Sequence, residues 1–227
     1  MIYEEILQKL KSMRNEENRQ GMARFGINIE RALGISIYNL MPIAKEIGRN
    51  HKLALKLWGS GIHEARILAG YIDDPELVTE EQMEEWVLDF NSWDICDQVC
   101  TNLFDRTEFA RKKVHEWSKR EEEFVKRAAF TIIAGLAVHD KKAKDVDFEP
   151  FFEVIKRESY DERNFVKKAI NWALRNIGKR NLALNRRAIQ LAEQIGRMNS
   201  RASRWIATNA LRELKSEKVK KRLRQKK

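Results

Sequence analysis

The clearest helical pattern in this 227-residue chain lies in residues 164–180, which read NFVKKAINWALRNIGKR. Its apolar residues, among them Phe165, Ala169 and Ile177, recur at the spacing that places them on one face of a helix. Basic residues such as Lys167 and Arg175 fall elsewhere around the same helix. The pattern therefore predicts a helix with one buried face and one solvent-exposed, positively charged face.

Similar periodicity recurs along almost the whole chain and is interrupted only by short connections. The predicted helical segments lie near residues 2–13, 37–48, 51–71, 80–89, 93–104, 107–118, 121–138, 147–157, 161–179, 183–197 and 199–214. Only 3 prolines and 10 glycines interrupt the chain, which favours an all-α fold. Antiparallel helix pairs with short turns build either a bundle or an α-solenoid, and this number of helices favours the solenoid.

We predict a single helical-repeat domain over residues 1–214 and a basic C-terminal tail over residues 215–227. Turn signals such as Gly59-Ser60-Gly61 separate the segments, and none resembles a flexible linker between domains. The tail reads KSEKVKKRLRQKK and lacks an apolar face wide enough to bury. It is therefore predicted to be a frayed helix or tail that touches phosphates.

Positive charge is concentrated in the C-terminal part of the chain. The formal net charge is +10, and residues 161–227 hold 20 Lys or Arg against 5 Asp or Glu, so the preceding part is net acidic. A polarised basic region indicates a polyanionic partner, with nucleic acid favoured over an acidic membrane or an acidic protein. A solvated charged surface without a partner is the alternative.

Several classes of protein are disfavoured by the sequence. No apolar run approaches the roughly 20 residues that cross a bilayer, and the start, MIYEEILQKLKSM, is unlike a signal peptide. We therefore expect a soluble, cytoplasmic, nucleoid-associated protein that does not bind membranes. Cys96 and Cys100 are expected to be core thiols, and His63-Glu64-Ala65-Arg66-Ile67 lacks the second His of a zinc-protease helix. We expect no metal and no organic cofactor.

The most informative stretch for function is residues 91–97, NSWDICD, which opens a helix after a polar break. The i, i+4 spacing of Trp93 and Asp97 puts an aromatic plane beside a carboxylate on one helix face. The competing interpretation is a core Trp93, with Asp94 or Asp97 serving as a favourable charge at the helix start. Trp172 has the same alternative as a core residue, and Arg127, in EFVKRAAF, has the alternative of a solvated helix arginine.

Several segments, taken in order, resemble the AlkD family of DNA alkylation-repair glycosylases over roughly residues 20–195. They are FGI, GIS, MPIAKEI, LWGSGIHEARILA, SWDICD, FVKRAAF and NFVKKAINWALRNIGK. The Trp-Asp-x-x-Asp motif and the KKAINWALR helix are the most specific, because each preserves spacing as well as residue type. Phe25 stands where the family often has Tyr, and Ser36 stands where some members have Gln. Those departures bear on substrate preference more than on the fold.

The resemblance implies a curved stack of HEAT-like helical repeats whose basic concave face holds a DNA duplex. It also implies hydrolysis of the N-glycosidic bond of alkylated purines, chiefly N3-alkyladenine and N7-alkylguanine. Asp97 would be the catalytic carboxylate, and Trp93 and Trp172 would be aromatic walls around the lesion nucleotide. Basic residues of the two helices that hold Arg127 and Trp172 are predicted to contact DNA: Arg127, Lys167, Lys168, Arg175, Lys179 and Arg180. We expect a monomer that binds duplex DNA carrying alkylated bases.

Two other functions remain compatible with the sequence. A catalytically silent relative that recognises distorted or branched DNA would keep the same scaffold and basic groove. A helical-repeat scaffold for an acidic protein would fit the charge distribution but would not explain the Trp and Asp residues. Retention of Trp93, Asp97, Arg127 and Trp172 favours the enzyme, because a pure binder has no reason to keep a carboxylate facing phosphates.

Overall fold

The computed structural model describes residues 1–225, and its regular elements in that range are helices. The α-helices are α1 (Tyr3–Ser12), α2 (Glu16–Arg24), α3 (Ile37–Ile47), α4 (His51–Gly59), α5 (His63–Ile72), α6 (Glu80–Leu88), α7 (Trp93–Asn102), α8 (Ala110–Trp117), α9 (Glu123–His139), α10 (Glu149–Glu158), α11 (Asn164–Gly178), α12 (Leu182–Gly196), α13 (Arg201–Leu214) and α14 (Glu217–Gln225). The predicted all-α class is confirmed. Within residues 1–225, no helix combines the length and the apolar character needed to span a membrane.

The helices of the N-terminal half differ from the predicted segments at two places. Helix α2, EENRQGMAR, buries none of its residues, so it has no apolar periodicity for a sequence pattern to detect. The predicted segment 51–71 is two helices, α4 and α5, because the chain turns between them. Gly61 has a φ of +68° at this turn, a conformation that glycine adopts without steric cost.

The C-terminal residues correct the prediction of a tail without a buried face. Helix α14 buries Val219 and Leu223, which are 7 % and 2 % exposed. These two residues are four apart and so share one face, and a stripe of this width suffices where α13 packs against the helix. Lys226 and Lys227, the end of the predicted tail, lie outside the described residues.

The chain forms two compact units, Met1–Phe109 and a second unit that begins at Ala110. The residues predicted to form one domain, 1–214, therefore include the boundary between the two units. In the first unit, the indoles of Trp58 on α4 and Trp86 on α6 stack with ring centroids 4.0 Å apart and planes 2° from parallel. Phe90 and Phe104 pack around them.

The first unit stacks alternate helices in parallel. His63 and Asp94, at the starts of α5 and α7, are hydrogen bonded at 2.7 Å, and Tyr71 donates to Gln98 nearer their ends at 2.6 Å. Equivalent ends of α5 and α7 therefore lie together. Helix α4 is antiparallel to α5, because the backbone N–H of Asn50 before α4 donates to the last carbonyl of α5.

The second unit repeats this arrangement with three parallel helices in a row. Asn176 of α11 donates to the carbonyl of Ala134 in α9 at 3.1 Å, and Asn171 of α11 donates to the carbonyl of Ile206 in α13 at 2.9 Å. A bundle would place antiparallel helices on both sides of α11. Parallel neighbours joined by antiparallel connecting helices are instead the arrangement of stacked helical repeats, which supports the solenoid over the bundle.

Candidate functional site

A cleft of about 720 Å³ opens in the first unit, beside α2, the segment before α3, and the starts of α5 and α7. It brings together three residues that the sequence analysis took from separate segments: Phe25, Ser36 and Trp93. Its wall is mostly apolar, and Phe25 at its rim is 72 % exposed. The two departures from the AlkD pattern thus lie in one cleft with one of the predicted aromatic walls.

Trp93 is the first residue of α7 and is half-buried. Its indole Nε1–H donates to the backbone carbonyl of Phe25 at 3.0 Å. This bond satisfies the polar end of the ring and fixes its plane against the chain that follows α2. Because the ring lines the cleft, the interpretation of Trp93 as a core residue is wrong.

Asp94 and Asp97 have different surroundings although they lie on the same helix. Asp94 is 7 % exposed, and His63 and the Ser92 hydroxyl are bonded to its two carboxyl oxygens, each at 2.7 Å. Burial pushes the pKa of Asp94 upward, but the hydrogen bonds from His63 and Ser92 outweigh it and hold that pKa below its ordinary value. Asp97, in contrast, is half-buried. Asp94 is therefore a carboxylate held in place at the wall of the cleft, whereas Asp97 is not among the residues that line the cleft and retains partial access to solvent.

Two cysteines lie on the buried side of α7, as predicted. Cys96 and Cys100 are free thiols and are completely buried. Burial, reinforced by Cys96 and by the charge of Asp97, raises the pKa of the Cys100 thiol, so neither chemistry nor metal binding is favoured there. Among residues 1–225, no group of His, Cys, Asp and Glu side chains has the arrangement to hold a metal ion.

Glu64, in the HEARI stretch, stabilises the segment before α3. The buried carboxylate of Glu64 accepts hydrogen bonds from the backbone N–H groups of Leu33, Gly34 and Ile35 at 2.7–3.1 Å. These bonds hold the segment that leads to Ser36 and α3. Gly34 has a φ of +81°, and a Cβ there would lie 2.1 Å from the carbonyl oxygen of Asn15. Both features keep one wall of the cleft in a fixed position.

Arg127 lies in the second unit, near the start of α9. It is 5 % exposed, and its guanidinium donates to the carbonyl of Phe165 at the start of α11. The interpretation of Arg127 as a solvated helix arginine is therefore wrong, and its contact with a phosphate stays a prediction. Trp172, two turns further along α11 from Phe165, is half-buried.

Four of the basic residues predicted on and after α11 fall into three environments. Lys168 is exposed, whereas Arg175 and Lys179 both form ion pairs with Glu213 of α13. One carboxylate thus offsets part of the charge of two predicted DNA contacts. Arg180 follows α11, donates to the carbonyls of Ala137 and Ala143, and has its guanidinium 4.4 Å from the ring centroid of Phe148.

A second cleft, of about 760 Å³, lies in the second unit at the C-terminal ends of α9 and α11. Four basic residues line it, with Asp145 as the acidic member: Lys141, Lys179, Arg180 and Arg222. Arg222 belongs to α14. The segment that was predicted as a tail therefore contributes a positively charged side chain, Arg222, to the wall of this cleft.

One aromatic residue that was not predicted from the sequence lies beside a predicted DNA contact. Trp205 on α13 is 37 % exposed, and the Nζ of Lys167 lies 5.8 Å from its ring centroid. The signal was present in RASRW, residues 201–205, where two arginines and a tryptophan share the start of one helix.

The chain is similar to one protein family and to two solved structures. A family model described as DNA alkylation repair enzyme matches residues 6–214. A solved structure from a new family of proteins related to the HEAT-like repeat DNA glycosylases, with affinity for branched DNA structures, is similar over 94% of this chain and 96% of its own, with a TM-score of 0.78 and 22% identity. A designed armadillo repeat protein in complex with the peptide (KR)4 covers 82% of this chain and 79% of its own, with a TM-score of 0.36 and 15% identity. No curated protein matches the sequence. The likeness at 0.78 confirms the predicted stack of HEAT-like helical repeats.

Proposed function

The chain belongs to the DNA alkylation repair enzyme family, and we propose that it is a DNA glycosylase that hydrolyses the N-glycosidic bond of cationic alkylated purines in duplex DNA. Its substrates are N3-alkyladenine and N7-alkylguanine. The observation that carries the proposal is the pair Trp93 and Asp97, one turn apart on α7 and both half-buried, although residues 94–96 between them are buried. The ring of Trp93 and the carboxylate of Asp97 stay partly accessible although the rest of this helix segment is packed in the core. This exposure fits a reaction site better than a role in core packing.

The chemistry that such a lesion needs is modest. An N3- or N7-alkylated purine already carries positive charge, so the base leaves as a neutral molecule without a general acid. The positive charge that must be stabilised develops on the sugar, at C1′. A fixed carboxylate beside C1′ stabilises this oxocarbenium character most strongly in the transition state. Asp97 takes that position in the proposal and also orients the water that attacks C1′.

In the proposal, the two tryptophans bind the positively charged lesion nucleotide. The indole of Trp93 has its N–H engaged by Phe25, so the ring offers its π face to a ligand in a fixed orientation. Trp172 supplies the second wall in the proposal. A cation over such a ring gains about 0.5–2 kcal/mol, depending on how far it is desolvated. The walls therefore favour the charged lesion over a neutral nucleotide.

Affinity for the duplex comes from phosphate contacts in the proposal. Lys168 and Arg222 are exposed, and the second cleft adds further cations on a framework fixed by Arg180. Contacts of this kind give binding that depends on salt but not on base sequence. A monomer acts on the DNA, and neither a metal nor an organic cofactor takes part, so base release persists in a chelator.

The test is a matched set of duplexes with released bases identified by mass spectrometry. We expect N7-methylguanine and a much larger N7-alkylguanine to be released at rates within about one order of magnitude, roughly 1.4 kcal/mol in barrier. Neutral hypoxanthine should stay in the DNA, because no general acid is proposed to protonate it. Efficient release of hypoxanthine, or rejection of the bulky cation, would contradict the proposed mechanism.

The second candidate is a catalytically silent protein that recognises branched DNA. It is favoured by the relative with a TM-score of 0.78, for which affinity for branched DNA structures is stated. The same experiment separates the two candidates. No base release from any alkylated duplex, together with tighter binding to a four-way junction than to a linear duplex, would replace the first proposal with the second.

A further inference from the structure

We propose that Trp205 is the centre of a separate DNA-contact surface that stacks an unpaired base where the duplex is interrupted, as at a flap or branch. We call this surface the Trp205 patch and define it as Lys167, Arg201, Arg204 and Trp205. The inference rests on the DNA binding of the proposed function and does not require base release.

The patch joins two parallel helices of the second unit. Arg201, Arg204 and Trp205 are exposed residues in the first two turns of α13. Arg201 lies four positions before Trp205 and therefore shares its helix face. From α11, the Nζ of Lys167 approaches the Trp205 ring to 5.8 Å from the centroid. The aromatic ring thus has a cation close to it from α11 and a second cation, Arg201, on its own helix face.

The exposure of Trp205 is not needed for the packing of α13. That helix buries another set of residues in the core, including Ile206, Ala210 and Leu214, which are completely buried. Asn171 further ties α11 to α13 by donating to the carbonyl of Ile206. The helix is therefore held in place independently of the exposed face of the Trp205 ring.

Two carboxylates near the patch, Glu162 and Glu213, have hydrogen-bond or ion-pair partners outside it. Glu162 accepts hydrogen bonds from the Ser200 hydroxyl and the Ala202 N–H, both at 3.0 Å, at the start of α13. The bond from Ala202 is the main reason that the pKa of Glu162 lies below its ordinary value. Glu213, further along α13, is paired with Arg175 and Lys179. The charge of Lys167 also helps to lower the pKa of Glu162, so one carboxylate lies near this member of the patch. Arg201 and Arg204 are exposed to solvent and supply the other positive charges for an anionic ligand.

Cations around an exposed aromatic ring match the chemistry of an unpaired nucleotide. Its base offers a π face to the ring, and its phosphates pair with the flanking basic side chains. A base inside an intact duplex is already stacked on its neighbours and cannot use the ring. The patch should therefore distinguish interrupted DNA from linear duplex.

The experiment measures equilibrium binding to three DNAs by fluorescence anisotropy. They are a linear duplex, the same duplex with a short single-stranded flap, and the same flap built from abasic nucleotides. The Trp205→Leu variant keeps apolar bulk but has no π face, and Trp205→Phe keeps a ring. We expect Trp205→Leu to weaken binding to the normal flap by at least about fivefold, the lower end of the loss seen when one stacking ring is removed.

The other DNAs, a variant that keeps a ring and a variant at a distant site serve as controls. Trp205→Leu should change binding to the duplex and to the abasic flap by less than about twofold, while Trp205→Phe keeps most of the preference for the normal flap. Leu182→Ala, which truncates a 42 % exposed apolar side chain in the same unit, should change none of the three affinities. Equal losses on all three DNAs, or no loss on any, would overturn the proposal. Since Trp205 is not placed at the reaction site, base release from linear duplex should be the same in all variants.

Discussion

The first unit holds its polar groups by directed hydrogen bonds, whereas the second unit carries much of its charge on exposed or ion-paired basic side chains. In the first, His63 fixes Asp94, Glu64 fixes the segment before α3, and a carbonyl fixes the ring of Trp93. In the second, Arg175 and Lys179 share Glu213, and Lys168 and Arg222 face solvent.

This difference indicates that the two units tolerate change differently. A reaction site depends on angles and distances of a few atoms, so one misplaced group costs orders of magnitude in rate. Binding to phosphates sums many similar interactions, so removing a single one changes the total little. Single substitutions should therefore have large, specific effects among the fixed polar groups of the first unit and small, additive effects among the basic side chains of the second unit that are proposed to contact phosphates.

The largest effect is expected for Asp97→Asn. The change removes the charge proposed to stabilise C1′ but hardly alters volume, so base release should fall by about 10²-fold to 10³-fold. DNA affinity should stay within about twofold. Single-turnover release from N7-methylguanine DNA and anisotropy titration measure the two quantities. Glu17→Gln, which removes a charge from the lining of the cleft in the first unit, is the matched control and should keep its rate. A near-normal rate for Asp97→Asn would exclude Asp97 from the mechanism.

Asp94→Asn should mainly affect stability. Asp94 accepts hydrogen bonds in a buried place, and loss of bonds to a charged group costs about 1.5–3 kcal/mol in the free energy of unfolding at pH 7. Because the pKa of Asp94 is lowered in the folded state, its stabilisation is fully present above the unfolded value and is lost as pH falls through the lower, folded-state pKa. Denaturant titrations at pH 7 and in acid should show the deficit of the variant shrinking in acid. A deficit as large for half-buried Asp97→Asn would contradict this contrast.

Intermediate effects are expected for the two aromatic walls. Trp93→Ala and Trp172→Ala should each lower affinity for lesion DNA and the release rate by roughly twofold to thirtyfold, the equivalent of about 0.5–2 kcal/mol. Trp93→Phe should lose less than Trp93→Ala, because it keeps a ring but loses the bond to the Phe25 carbonyl. Unchanged release by folded variants, verified by circular dichroism, would remove either residue from the site.

The smallest effect is expected for charges on α14. Replacing exposed Lys218, Lys221, Arg222 and Arg224 with Gln should weaken DNA binding slightly, with the larger deficit at low salt, where counterion release contributes most. The slope of log K against log salt should become shallower by about 0.9 for each phosphate that the variant no longer neutralises. These substitutions keep the buried Val219 and Leu223, which truncation after Leu214 would delete. An unchanged slope would show that α14 does not contact DNA.

The helices were predictable where burial imposes periodicity on the sequence. Helix α11 follows its predicted segment because one face is buried between two parallel neighbours. Helix α2 could not be predicted, since a helix that buries nothing leaves no apolar pattern. The two buried residues of α14 were overlooked because a stripe that narrow is masked by the surrounding lysines and arginines.

The sequence predicted correctly that Trp93 and Asp97 lie one turn apart on one helix, because i, i+4 spacing is a local property; their roles in a reaction stay a prediction. Pairings between distant segments could not be predicted. Nothing in the sequence indicates that Glu213 forms ion pairs with Lys179 and Arg175, which lie 34 and 38 residues before it in the chain. The same holds for Arg127, whose burial against Phe165 depends on how α9 and α11 stack.

The parallel stacking of α9, α11 and α13 has a consequence for how the protein forms during synthesis. The hydrogen bonds that join these helices, from Asn171, Asn176 and Arg180, reach partners only 35 to 43 residues away in the chain. Each helix thus meets its neighbour soon after the ribosome releases it, and no distant segment has to be awaited. The three helices can therefore pack in the order of translation. Trp205 lies on α13 and joins the structure only when this third helix has been synthesised.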